Sequence, residues 1–310
     1  MGAKGCWMLA MMMAGSAYAQ QGVSLGTATP GGGFPVYGDA ITRTINELDT
    51  GLSVQPRNTK GSTENIPLLE SGALDIALVQ GEAAFEALNG IGRPPADLRI
   101  IAAMYSSPGF FVVRGDSPAR GIADLKGKPV AFGASGSGLV ILARYVLDGL
   151  GLDQNKDFGA VYLDRAGDGP AMLRDGRIAA LWGGGTGWPG FTSTMQEGGR
   201  LIAPSADEIA RIRARHGFLS ALTLPAGSYP NQAEALRSVG SWSFILARPS
   251  LDESVAYRLT RALHRGESVL GERLPQARET TAANTVAAAY RPELLHPGTR
   301  RYLQEIGLLK

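Results

Sequence analysis

Two stretches of small residues have the composition of anion-binding loops. One is Gly26-Thr27-Ala28-Thr29-Pro30-Gly31-Gly32-Gly33-Phe34; the other is Gly133-Ala134-Ser135-Gly136-Ser137-Gly138. Each follows a short apolar run, Val23 to Leu25 and Val130 to Phe132, and each precedes residues at helical spacing. The first N–H groups of a helix have no intrahelical partner, and the aligned peptide dipoles add about half a positive charge there. Glycine and serine leave those donors uncovered, so a carboxylate or phosphate can rest on them. Thr27, Gly32 and Gly33 offer a hydroxyl and backbone donors from the first loop, with Phe34 as a candidate pocket wall. Ser135, Gly136 and Ser137 offer the same from the second, with Ser135 or Ser137 as the N-cap of the helix that follows.

Three further positions carry suitable chemistry. Ser62 and Thr63 sit in the polar loop 57–65, which opens another helix with Ser62 as its expected cap. Gln80 ends the apolar run Asp75-Ile-Ala-Leu-Val-Gln80, and its amide can both donate and accept. Trp188, in Gly187-Trp188-Pro189, could close over a ligand from the second half of the chain. Arg57 and Arg165 could pair bidentately with a carboxylate, although a lone arginine is most often a solvated side chain.

These residue types favour binding over reaction. Gly133-Ala-Ser135-Gly-Ser137 lacks the last glycine of a hydrolase G-x-S-x-G elbow. The 130–138 stretch followed by Asp164 is reminiscent of a dinucleotide loop, but its spacing is not G-x-G-x-x-G. His216, His264 and His296 lie apart, with no metal-ligand spacing and no H-E-x-x-H. No catalytic residue, metal or cofactor is therefore expected. A net charge of +2 without a basic stripe argues against a nucleic-acid partner.

The elements that must hold these loops alternate strand and helix over 310 residues, which predicts an α/β fold with mainly parallel sheet. Helices are expected at 38–48, 82–88 and 251–270, with shorter ones in the tail at 274–281, 285–289 and 298–306. Strand 98–104, a break at Ser106-Ser107-Pro108, and strand 109–114 form one candidate crossing; 241–248 forms a second. Two crossings predict two lobes: 20–113 with 242–310, and 114–241, joined by a two-strand hinge. Residues 1–19 read as a cleavable leader. Lys4 supplies the basic region, Cys6 to Met13 the short apolar region, and Ala17-Tyr18-Ala19 the cleavage site. The only cysteine leaves with it, so the expected product is an exported, periplasmic protein without disulfides, read here as a monomer.

The ordered set of motifs resembles a known family. Gly26-Thr27 with Gly32-Gly33-Phe34, then Gly61-Ser62-Thr63-Glu64-Asn65, Asp75 to Gln80, Asp124-Leu-Lys-Gly127-Lys128, and Gly133 to Gly138 occur in the order seen in the TAXI family. Those proteins are solute-binding subunits of TRAP (tripartite ATP-independent periplasmic) transporters. The resemblance spans about residues 22–308. It implies a type II periplasmic-binding-protein fold, capture of a small organic anion such as a dicarboxylate or amino acid between the lobes, and delivery to a TRAP membrane permease driven by an ion gradient. An ABC-type receptor of the same fold is the alternative. The chain departs from the family in three places. Ala28-Thr29-Pro30 follows Gly26-Thr27 where GTGG is usual, Phe34 stands near a customary tyrosine, and Leu139 replaces a customary threonine.

Overall fold

The computed structural model describes residues 20–310; the leader expected over 1–19 lies outside the described residues. The chain begins β1 (Gln21–Gly26), α1 (Gly33–Leu48), β2 (Leu52–Arg57), α2 (Ser62–Glu70), β3 (Ile76–Val79) and α3 (Gly81–Asn89). The long strand β4 (Arg99–Val113) follows. Next come β5 (Pro129–Ala134), α4 (Gly138–Gly149), β6 (Gly159–Leu163), α5 (Gly169–Arg174), β7 (Ala180–Gly184), α6 (Pro189–Gln196), β8 (Arg200–Ile202), α7 (Ala206–Arg215) and β9 (Ser220–Leu224). The second long strand, β10 (Leu236–Ala247), leads into α8 (Glu253–Arg265), α9 (Glu267–Arg273), α10 (Ala282–Ala288) and α11 (Pro297–Glu305).

The strands form one curled sheet in the order β2-β1-β3-β10-β4-β7-β5-β6, with β8 beside β4 and β9 beside β10. β2, β1 and β3 run parallel at one end, and β6, β5 and β7 run parallel at the other. Between them β4 and β10 run antiparallel, from Ala247 opposite Arg99 to Gly240 opposite Pro108. β4 is 15 residues long, about 50 Å at the usual strand rise, so it serves both parallel runs. The buried side chains divide along the same line. Val23, Ile41, Leu52, Leu78, Ile101 and Leu259 belong to cores built from residues before 106 and after 243. Phe111, Phe132, Leu142, Trp182, Phe191 and Val239 belong to cores built from residues between them.

Local departures from the sequence reading have identifiable causes. β4 runs unbroken through Ser106-Ser107-Pro108 because β10 presents glycine there: a Cβ at Gly240 would fall 2.0 Å from the Ser107 carbonyl oxygen. α1 starts at Gly33 rather than Gly38, since Gly32 is extended and Pro35 fits a first turn. The helix expected over 251–270 breaks at Gly266, where a Cβ would meet Thr44 at 2.5 Å and Leu48 at 2.8 Å on α1. Its cap is Asp252, whose carboxylate accepts from the Ser254 N–H at 2.7 Å. Gly61, not Ser62, is the N-cap of α2.

Candidate functional site

A small cavity of about 50 Å³ lies where the two halves face each other. Five helices begin at its wall. Their N-cap residues are Gly32 for α1, Gly61 for α2, Gln80 for α3, Ser137 for α4 and Trp188 for α6, and all five line the cavity. The first three come from one half and the last two from the other. At roughly 0.5–1 kcal/mol per helix end, five ends give an anion about 3–5 kcal/mol. Micromolar affinity needs about 8 kcal/mol, so direct hydrogen bonds and apolar burial must supply the rest.

The side chains around those ends are donors. Ser62 Oγ is fully buried, accepts from the Gln80 backbone N–H at 3.0 Å and keeps its own proton to donate. Ser137 Oγ accepts from the Leu139 N–H at 3.2 Å, the hydrogen bond of a serine cap. Gln80 is 4 % exposed, and its Nε2 has no acceptor. Tyr105 and Ser107 reach the cavity from the middle of β4; burial pushes the Tyr105 phenol above its ordinary pKa, so it stays a hydroxyl donor. Phe34 and Trp188 supply aromatic surface from opposite halves. Trp188 is held by its backbone N–H, which donates to Tyr229 Oη at 2.9 Å while that hydroxyl donates to the Gly185 carbonyl at 2.6 Å. Among the described residues, Lys60 is the one cation on the wall, and no carboxylate lines it.

Of the residues singled out in the sequence, Gly32, Gly33, Phe34, Ser62, Gln80, Ser137 and Trp188 meet at this cavity. Four do not line it. Thr27 is buried behind it, and its N–H and hydroxyl both donate to the Arg57 carbonyl. Ser135 is exposed, with its N–H on the Leu163 carbonyl at 3.1 Å. Thr63 and Gly136 pair with each other at the rim, joining the halves. Arg57 and Arg165 are exposed and also stand off the wall. Tyr105, Ser107 and Lys60 were missed by the sequence reading. The signal for Ser107 is the polar break Ser106-Ser107-Pro108 inside an apolar strand; Tyr105, just before it, carries no such signal.

The halves also touch at Thr29 to Gly31 and Ala166-Gly167. The Ala166 N–H donates to Thr29 Oγ1 at 3.2 Å, and a Cβ on Gly31 would lie 2.5 Å from Gly167 Cα. Gly31 has φ +83°, so glycine serves both the backbone turn and the close approach. Among the described residues no cluster could hold a metal ion, and no helix is long and apolar enough to cross a membrane.

Solved structures of low sequence identity share this architecture. A protein of Bordetella bronchiseptica RB50 is 16% identical with a TM-score of 0.59, covering 93% of this chain and 98% of its own. The periplasmic aliphatic sulphonate binding protein SsuA from Escherichia coli is 18% identical with a TM-score of 0.53, covering 92% and 84%. An ancestral arginine-binding protein bound to glutamine is 13% identical with a TM-score of 0.51, covering 83% and 98%. The shared architecture is the periplasmic-binding-protein fold. Residues 25–307 match the NMT1-like family, and with the whole of both halves inside that match the chain is a member of the NMT1-like family.

Proposed function

We propose that the protein is a periplasmic solute-binding protein that captures a small organic anion between two lobes and releases it chemically unchanged to a membrane permease. The observation that carries this reading is the convergence of five helix N-caps on a cavity whose wall, among the described residues, holds one lysine and no carboxylate. Residues 20–113 with 242–310 form one lobe and 114–241 the other, with β4 and β10 as the hinge and the far end of β4, Phe110 to Val113, packed into the second lobe's core. An anion placed between the lobes gains contacts from both, and this difference in affinity shifts the population toward closure.

A carboxylated metabolite without an ammonium group suits the wall best, because an amino acid would bury its cation with no acid to pair it. Thr63, Gly136, Thr27 and Ser135 then act at one remove, shaping the rim and the loops. The motif order 26–34, 61–65, 75–80, 124–128 and 133–138 supports assignment to the TAXI branch, a monomeric receptor in the periplasm, and a TRAP permease as partner.

A thermal-shift screen of the mature chain against organic acids, sulfonates and amino acids tests the ligand class. Stabilisation by acids, absent in Ser137→Asp, is expected; turnover of any hit, or stabilisation by cations alone, would overturn the reading. Transport in vesicles carrying the permease distinguishes the partners: uptake driven by an ion gradient without ATP is expected, and an ATP requirement would assign the receptor to an ABC system.

A further inference from the structure

Directly behind Gln80 lies an acid that the binding scheme leaves without a task. Glu82 is wholly buried near the start of α3, two residues beyond the cavity-lining Gln80. Its Oε1 accepts from the Ser241 hydroxyl of β10 at 2.7 Å. Its Oε2 has no donor, and Gln80 Nε2 has no acceptor. The Gln80 amide is close enough to lower the Glu82 carboxyl pKa as a side-chain hydrogen bond would, yet its Nε2 and the Glu82 Oε2 meet at no normal hydrogen-bond geometry. An enclosed donor and an enclosed acceptor at one helix start, beside an anion cavity, are costly to leave unmade. The pair has two ways to become satisfied, and they differ by a proton.

We propose that Glu82 is a protonatable positioning residue for the anion site. As the neutral acid its O–H donates to Gln80 Oε1 and turns the Gln80 amide nitrogen into the cavity; as the carboxylate it draws that nitrogen back. This rests on the anion reading of the cavity given above. The step balances simply: one proton from solvent joins Glu82 as the anion enters, and it returns to solvent as the anion leaves. No bond of the ligand changes.

The surroundings favour a site poised between the two forms. Burial pushes the Glu82 carboxyl up to about 7, opposed by the hydrogen bonds from Ser241 and its own N–H and by the Gln80 amide, and aided by Glu86 one turn along the helix. Across the interface, α4 presents Arg144 and Tyr145, both tied to Glu86 rather than Glu82, the tyrosine hydroxyl at 2.7 Å. β10 faces the site with Ser241 and Trp242, neither of which is charged. The acids of α2 are engaged elsewhere, Glu64 with the Lys60 backbone N–H and Glu70 with Arg93. Glu82 thus has no cation of its own, and an anion in the cavity raises its proton affinity further.

Methanesulfonate is a suitable probe, since its own charge is fixed near neutrality. Calorimetry on the mature protein should show affinity falling several-fold between about pH 6 and about pH 8, with proton uptake detected as a buffer-dependent heat. Glu82→Gln, which keeps the Ser241 bond and can donate to Gln80, should bind at the tighter, low-pH affinity at both pH values. Gln80→Met should weaken binding and flatten the profile, because the proton acts through that amide. A pH-independent affinity in the unsubstituted protein, or a slope that survives in either variant, would overturn the proposal while leaving the anion site intact. Failure of both methanesulfonate and acetate to bind at any pH would overturn the anion reading and the proposal with it. If Glu82→Gln does not fold, infrared spectra of the unsubstituted protein decide: the carbonyl band of a buried protonated acid should grow on adding the anion at fixed pH, and an unchanged band refutes the mechanism.

Discussion

Thr63 and Gly136 join the two halves at the cavity rim through a single carbonyl. The Thr63 backbone N–H and hydroxyl both donate to the Gly136 oxygen, at 3.2 and 3.1 Å. A Cβ on Gly136 would lie 2.6 Å from the Lys60 carbonyl oxygen. That contact is backbone and cannot swing aside. Gly136→Ala should therefore hold the halves apart, lowering ligand affinity by roughly two orders of magnitude, about 3 kcal/mol, with a larger radius of gyration by X-ray scattering in the presence of ligand. Thr63→Val removes one hydrogen bond near solvent and should cost about 1 kcal/mol of closure, a several-fold loss of affinity by calorimetry. An equal loss in the two variants would argue against a steric rim.

Ser137→Asp separates folding from binding. Aspartate caps helices as well as serine does and suits the helix dipole. Thermal stability of the ligand-free protein should hold or rise slightly. Ligand-induced stabilisation should vanish, because the new charge occupies the place of the anion. Full stabilisation by the true ligand in this variant would remove Ser137 from the site.

Gly240→Ala tests the crossing strands. The added methyl would sit 2.0 Å from the Ser107 carbonyl oxygen on β4. Relief requires β10 to leave β4 next to Ser107, which lines the cavity. Unfolding in denaturant should show a loss of about 2–4 kcal/mol together with weakened ligand binding. Loss of stability with unchanged binding would show that the strand crossing does not position Ser107.

Asp49 sets an acid limit on stability. Hydrogen bonds from the Arg258 guanidinium, at 2.9 and 2.5 Å, lead the effects holding its carboxyl below the usual value of 3.8, against its partial burial. A carboxyl depressed by folding stabilises the native state at pH values above the unfolded pKa. That contribution fades as pH falls from about 3.8 through the lower native value. Asp49→Asn should cost roughly 1–2 kcal/mol at neutral pH, allowing for the partly open arginines. The gap to the unsubstituted protein should close in acid, as read from melting temperatures across pH.

The parts of this fold legible in the sequence were those written in local pattern. Apolar runs followed by small residues marked β1 with α1 and β5 with α4, and the Asp75 to Gln80 run marked β3. Seven of the eleven residues chosen for binding line the cavity because a loop at a helix start must expose donors somewhere. What the sequence does not show is set by distance. Nothing near Thr63 or Gly136 in the chain reveals that they meet across the rim, 73 positions apart. Ser106-Ser107-Pro108 reads as a strand break because the glycine that accommodates Ser107, Gly240, lies far downstream. Gly266 lies inside the helix expected over 251–270, and only α1 packing against it shows where that helix breaks.

The division of the five helix starts has a mechanical consequence. Three positive ends belong to one half and two to the other, so in a ligand-free protein the shut form sets like partial charges face to face across a narrow gap. On the proposed reading, their mutual repulsion would load the β4–β10 crossing toward gaping. An anion would then act as the rivet that cancels it, and a neutral impostor of the same shape would leave the jaws sprung.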